Sequence, residues 1–507
     1  MVLTLTCHFK KKNMKSIYKI KVLIVSLFIF SACTAGFEEM NVDQNLPTKA
    51  DSGTLLPSTI FGALNAHLDV QLYLTNQIMQ YKVYRNSNEL DAYDFASGAN
   101  LFGRLWAGAY KVMRDGKESI AFAEENGLNA YIGAAKTINA FYLASLTELW
   151  IDVPYAQGSA GLDFVQPAYD KQEEIYPQIL LLLEEANTVF ANDSQGFILG
   201  GDILFNGDVM KWRKMANSLR LRYLLRLSNK GSVNAASQIS TMVSDASKYP
   251  IIESNAEAAI YDFSGIAPNT SDFSLQTALG GLSPSKRFVN VLDGLDATDD
   301  ADDDPRLAFF ADKPIDPTVS SGPFVGVESG TTREEAQGTG GNAELFASQF
   351  TARFQEDSGL LDFVFISYAE VQFILAEARL NNWITTATPQ SYYEQGIEAN
   401  LAYWDLTMPA GFLTRADVVW DGTLSTLMNQ KWIAMFMNNT IEMWGDQKRT
   451  GFPTLTIGPL ATTVTGGIVP SRVFYPTLEQ SVNSVNYQAA SSAIGGDQIT
   501  IKHWYQN

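Results

Sequence analysis

Cys33 constrains this chain more than any other residue. It follows a short apolar run, Val22 to Phe30, in the order Phe30-Ser31-Ala32-Cys33, and Lys10, Lys11, Lys12, Lys15, Lys19 and Lys21 stand ahead of it with no acid among them. A basic stretch, a short apolar stretch and small residues before a cleavage point make an export signal. The run is nine residues long, whereas a membrane-crossing helix takes about 20, so a spanning anchor is disfavoured. A cysteine directly after the small residues is the arrangement of a bacterial lipoprotein signal, where it is acylated and begins the mature chain. An ordinary secretory signal with a chance cysteine is the alternative. Met14 to Cys33 is already a complete signal. Residues 1–32 are read as signal peptide and 33–51 as a lipidated tether, in which Asn41, Asp43, Asn45 and Pro47 oppose helix. Residues 52–507 are read as one domain.

Six lysines and no acids precede Cys33, so removing residues 1–32 takes the net charge from −19 to −25. That balance excludes nucleic acid, whose phosphates demand a basic surface, and disfavours an anionic membrane surface. Only Cys33 remains in the mature chain, which leaves no disulfide framework and no thiolate metal site. His67 and His503 lie at opposite ends and read as packed or surface residues rather than catalytic bases. Zinc-protease, Cys-x-x-Cys, Gly-x-Ser-x-Gly and phosphate-loop motifs are missing, and no cofactor is expected. Gly338-Thr339-Gly340-Gly341 lacks the third glycine of a dinucleotide fingerprint and reads as a flexible loop. Asp299, Asp300, Asp302, Asp303 and Asp304 suggest calcium, but the spacing is not that of an EF-hand and Pro305 interrupts it, so a solvated loop is the better reading. A carboxylate-pair hydrolase stays open, since 55 acids offer too many pairs.

Apolar spacing predicts helices over Leu55–Tyr84, Phe102–Glu125, Asn129–Trp150, Glu173–Phe190, Val209–Asn229, Phe363–Asn382, Pro389–Trp404 and Leu424–Arg449. Asn126-Gly127 is a helix stop and turn, and Asp208 an N-cap. The pairs have tetratricopeptide size without a clean repeat. Ser254–Gln349 and Gly451–Gln498 are rich in Gly, Ser, Thr, Asn and Pro and read as long loops with a few short strands, the kind of loop that is usually functional or disordered. The fold class is therefore mainly α, with degenerate helix pairs and a loop-rich region.

Two clusters invite a binding reading. Arg213, Lys214, Arg220, Arg222 and Arg226 share one helix, and salt bridging to acidic neighbours is preferred there to an anion site. Tyr81, Tyr84, Tyr93 and Phe95 flank the polar stretch Arg85 to Asp91 just after a long helix. A ring face over a sugar face buries apolar C–H area while Asn and Arg take hydroxyls. The nominated ligand contacts are Tyr84, Arg85, Asn86, Asn88, Tyr93 and Phe95. Packing of the same rings into the core is the competing reading. Trp150, Trp212, Trp432 and Trp444 lie in helical patterns and are assigned to the core.

Several stretches, in order, resemble the SusD/RagB family of lipoproteins. They are Cys33 to Asn45; Asp152-Val153-Pro154-Tyr155, with Ile151 in place of the usual glycine; and Tyr169-Asp170 with Ile175-Tyr176. Gly207-Asp208, Lys211-Trp212 and Ala216-Asn217-Ser218-Leu219-Arg220-Leu221-Arg222 are the most specific match. Asp304-Pro305-Arg306-Leu307, Tyr368-Ala369-Glu370, Ala376-Glu377-Ala378, Gln430-Lys431-Trp432, Trp444 and Arg449-Thr450-Gly451-Phe452-Pro453 complete the set. The resemblance implies a non-catalytic protein, lipid-anchored at the outer face of the outer membrane. It would bind nutrient oligomers, mostly glycans but also peptides, and deliver them to a SusC-like TonB-dependent transporter. A lipid-anchored polymer hydrolase and a helix-pair scaffold for other proteins are the alternatives. The matched motifs read as structural, because the family's binding site varies between members.

Cys33→Ala should release the protein from the membrane fraction of cells labelled with a lipid precursor. Continued acylation or unchanged fractionation would contradict the lipid anchor.

Overall fold

Asp51 starts the first helix by accepting the Thr54 backbone N–H at 2.9 Å, a cap that satisfies one of the donors a helix start leaves free. In the computed structural model the described residues are 50–506, apart from short stretches at 85–89, 96–98, 161–163, 194–195, 197, 199, 268, 272–280, 295–302, 317, 320–321 and 337–342. Cys33, the glycine cluster 338–341 and most of the acidic run therefore lie outside the described residues. Asp51–Asn507 is one compact unit.

The single helix expected over Leu55–Tyr84 is instead a broken series. Helix α1 (Ser52–Phe61) ends at Gly62 and α2 (Leu64–Val70) runs into a π-turn at Gln71–Thr75. Gln80 then takes a left-handed φ of 57° and turns the chain into strand β1 (Lys82–Tyr84). Apolar spacing carried across that reversal concealed it. Helices α3 (Ala99–Asn126), α4 (Asn129–Trp150), α5 (Gln172–Ala191), α6 (Val209–Arg226) and α7 (Ala235–Ser244) follow. Gly127, at φ +69°, makes the α3–α4 turn without the Cβ penalty other residues meet there. Asp208 caps α6 through the Lys211 N–H at 3.1 Å. Helix α4 is buried on nearly every side, which places it at the centre of the stack.

Among the described residues, three two-stranded antiparallel sheets edge the helices. The chain adds β2 (Ala259–Tyr261), β3 (Leu282–Pro284), α8 (Lys286–Leu292), α9 (Pro305–Phe310), β4 (Ala311–Asp312), β5 (Gln349–Phe350) and β6 (Phe363–Ile366). β1 pairs with β3, β2 with β6 and β4 with β5. Phe363–Ile366 had been included in the following helix. Its four residues, aromatic or β-branched, are all buried, which suits a strand. Ser367 then caps α10 (Tyr368–Leu380). Helices α11 (Pro389–Tyr403), α12 (Leu424–Ala434) and α13 (Thr440–Thr450) complete the second stack. The helix expected across Leu424–Arg449 is split, because Met437 takes φ 60° between α12 and α13. Gly451–Gln498 holds three short helices, α14 (Pro459–Thr465), α15 (Thr477–Val482) and α16 (Ser484–Ala493), where loops were expected. Asp304 is no solvated loop residue: it caps α9 and pairs with Arg306 at 2.7 Å, both buried.

The four tryptophans assigned to the core, Trp150, Trp212, Trp432 and Trp444, are all fully buried. So is most of the basic helix, α6. Arg222 reaches Glu370 at 2.6 Å, and Arg226 reaches Glu148 at 2.7 Å and Glu442 at 2.8 Å. Lys448 joins Glu148 at 3.0 Å, Lys431 joins Asp446 at 2.6 Å, and Arg449 joins Glu377 at 2.6 Å. Burial works to raise Glu148 and Asp446, but the surrounding cations outweigh it and hold both carboxyls below their ordinary range. Both histidines are packed. His67 sits between Ser145 at 3.1 Å and Gln71 at 2.9 Å, and His503 lies 2.8 Å from Gln172 and 2.7 Å from the Ser471 carbonyl. Among the described residues no helix is long and apolar enough to cross a membrane.

Burial, with Arg222 beside it, lowers His67 from 6.5 to about 3, and burial with Lys448 lowers His503 well below 6.5. As pH falls through 6.5 the unfolded chain takes protons that the folded chain refuses, so stability drops. The expected loss is about 1.4 kcal/mol per pH unit per histidine, read from urea unfolding between pH 6.5 and 5. Asp91 and Asp362, whose carboxyls burial raises to about 7, act in the opposite sense over the same range, so the histidine share is read as a difference. His67→Gln should lose about 1.4 kcal/mol less per pH unit than the parent chain, and parallel profiles would contradict this reading of His67.

Candidate functional site

The β1–β3 pairing creates a polar pocket. Lys82 lies opposite Pro284 and Tyr84 opposite Leu282. At the β3 end Ser285 donates to the Gln80 carbonyl through its hydroxyl, accepts the Phe288 N–H at 2.9 Å, and so starts α8. Gln80, set by its left-handed backbone, brackets Thr456: its amide nitrogen donates to the Thr456 carbonyl, and its amide oxygen accepts the Thr456 N–H at 3.2 Å. The Lys286 N–H donates to the Val327 carbonyl at 2.7 Å, which brings Glu328 and Ser329 alongside α8.

The pocket between these segments has a volume of about 350 Å³. Its polar wall is Gln80, Lys286, Arg287, Asn290, Glu328 and Ser329. Lys286 and Glu328 pair at 3.1 Å with both side chains about half exposed. Arg287 lies with its guanidinium 5.0 Å from the Trp432 ring and donates to the Thr454 carbonyl at 2.7 Å. Burial lowers the Arg287 pKa from its ordinary value. The ring beneath it is rigid: Trp432 stacks on Tyr81 at 4.6 Å and 11°, and its indole N–H donates to the Met79 carbonyl at 2.9 Å.

Two buried polar atoms on residues of this wall have no hydrogen-bond partner among the described residues: Arg287 Nε and Ser329 Oγ. Asp91, which does not line the pocket, accepts the N–H of Gly330, next to Ser329, at 2.9 Å through one carboxylate oxygen, and burial pushes its carboxyl up to about 7. Orphaned buried polar groups are rare. Arg287 and Ser329, which carry two of them, line the same pocket.

The nominated residues divide. Tyr84 stands in β1, half-buried against the core edge. Tyr93 and Phe95 are 2% and 1% exposed, so neither offers a ring face to a ligand in this structure. Phe95 meets Phe102 edge-on at 6.4 Å, and Tyr93 occupies a left-handed φ of 63° in a turn closed on the Leu90 carbonyl. These rings were drawn into the core because aromatic area is worth most there. Arg85, Asn86 and Asn88 lie outside the described residues. Gln80, just ahead of the segment, lines the pocket. Lys286, Arg287, Asn290 and Glu328 were missed in the sequence. Their one signal was their place in the loop-rich region.

Comparison with known proteins agrees with this architecture. A SusD-like family model, described as starch-binding and associating with the outer membrane, matches residues 44–476. A SusD homologue from Bacteroides fragilis is similar in structure at 23% identity, with 90% of this chain and 100% of that chain covered and a TM-score of 0.75. A chitin-binding protein is similar at 24% identity, 90% and 100% coverage and a TM-score of 0.75. A chitin-binding SusD homologue from Flavobacterium johnsoniae is similar at 19% identity, 90% and 98% coverage and a TM-score of 0.73. No curated protein matches.

Proposed function

We propose that this chain, which belongs to the SusD-like family, is a surface lipoprotein that binds glycan oligomers in the Arg287 pocket and hands them to a SusC-like TonB-dependent transporter. Family membership supports the coarser part, a nutrient-binding protein of the outer membrane. The finer part rests on one observation above the rest: two unpartnered buried polar atoms, Arg287 Nε and Ser329 Oγ, on residues of a pocket also lined by Asn, Gln, Lys and Glu. Sugar hydroxyls both donate and accept, so one ligand class can answer both. The chitin-binding relatives support an oligosaccharide over a peptide. Lipid attachment at Cys33 would hold this pocket at the cell exterior.

The reading is one of binding without turnover. Among the described residues Glu328 is the single carboxylate on the pocket wall and is already paired with Lys286, whereas glycosidic hydrolysis generally takes two carboxyl groups flanking the bond.

The mature chain should bind starch-type or chitin-type oligosaccharides in calorimetry and leave their length unchanged on chromatography. Arg287→Ala should weaken binding at least tenfold, about 1.4 kcal/mol, with folding intact. Phe95→Ala should instead lower stability by about 3–5 kcal/mol, as aromatic core truncations do. Oligomer shortening that tracks the protein, or unchanged affinity in a folded Arg287 variant, would overturn the proposal.

A further inference from the structure

A second groove, of about 860 Å³, shares no lining residue with the Arg287 pocket. It opens where β2 and β6 end. The last pair of that ladder is Tyr261 opposite Phe363. One residue beyond it the chain carries Asp262 on one strand and Asp362 on the other, and both line the groove. Like charges opposed across a ladder oppose folding, so an arrangement that keeps them calls for a counter-charge. Asp357 and Asp405 add two more carboxylates to the same wall. Among the described residues Arg353 is the one cation on that wall, and its guanidinium lies 4.1 Å from the Phe309 ring centre. The groove therefore rejects anionic ligands and favours cationic ones.

The rest of the wall is aromatic. Phe309 and Trp404 pack at 5.4 Å, and Tyr403 meets Trp404 at 4.8 Å. The Tyr403 hydroxyl donates to Asp362 at 3.1 Å. Trp404 is 5% exposed and its indole N–H has no hydrogen-bond partner among the described residues. A buried donor left without an acceptor is costly, and a hydroxyl oxygen of a ligand seated against the ring would supply one. Burial, with the Asp262 charge acting the same way, raises Asp362 to about 7, as expected for a carboxyl that lacks a cation partner.

We infer that this groove is a second ligand site, which takes an amino-bearing saccharide. The ammonium sits between Asp262 and Asp362, and the hydroxyls meet Asp357, Asp405 and the indole N–H. The saccharide frame rests on the proposed function; the positive charge rests on this groove alone.

Calorimetry of the mature chain with a glucosamine hexamer, its fully N-acetylated counterpart and a glucose hexamer tests the inference. The glucosamine hexamer should bind at least tenfold more tightly than either neutral hexamer at this groove. Asp262→Asn with Asp362→Asn should erase that preference, and Arg287→Ala should leave it. The asparagine pair removes an opposed charge pair and keeps the shape, so folding should survive. Equal binding of all three hexamers, an unchanged preference in the asparagine pair, or equal competition by a lysine hexapeptide would overturn it. Neutral hexamers that bind and are lost only with Arg287→Ala would leave the first pocket standing while this inference falls.

Discussion

Five cations and five carboxylates buried together hold the two helical stacks in register. Arg222, Arg226, Lys431, Lys448 and Arg449 face Glu148, Glu370, Glu377, Glu442 and Asp446, and none of these residues is exposed. Taking such groups out of water costs several kcal/mol per ion, and mutual attraction offsets that only when geometry is kept. The cluster is thus a weak source of net stability and a strong source of specificity. A shift of α6 against α4 or α13 would leave a charge buried and alone. Gly445 shows how close the fit is, since a Cβ there would run into the Arg226 guanidinium.

This frame explains what the family-like motifs do. In the Asn-Ser-Leu-Arg-Leu-Arg run, Asn217 bridges to Asn187 at 3.0 Å, Ser218 accepts the Ile252 N–H at 3.0 Å, Arg220 pairs with Glu184, and Arg222 enters the cluster. Each is a packing or pairing role. The motifs specify the scaffold, and the scaffold presents sheet ends and loops at its rim. Both grooves lie there, one at the end of β1–β3 and one at the end of β2–β6. A rigid support with variable edges is how one fold serves many ligands.

Helices with local caps and stops were legible in the sequence. Asn129–Trp150 was read to the residue, and the Asp208 cap and the Gly127 turn are where chemistry places them. Breaks without a Gly or Pro signal were not legible. Gln80 and Met437 both take left-handed backbone inside apolar stretches that keep helical spacing. The pocket was hidden for a different reason. Its walls come from residues near 80, 290, 328 and 456, brought together by a strand pairing that spans about 200 positions, and periodicity carries no information at that range. Of the aromatic residues nominated as ligand contacts, Tyr93 and Phe95 are packed into the core, while Gln80, ahead of that segment and without an aromatic signal, lines the pocket.

Amide hydrogen exchange with and without a saturating oligosaccharide tests the central claim most directly. The account predicts added protection at Gln80–Tyr84, Leu282–Val291 and Val327–Gly330, with the buried helices α4 and α6 unchanged. Protection confined to other surfaces, with these three segments exchanging as before, would contradict it.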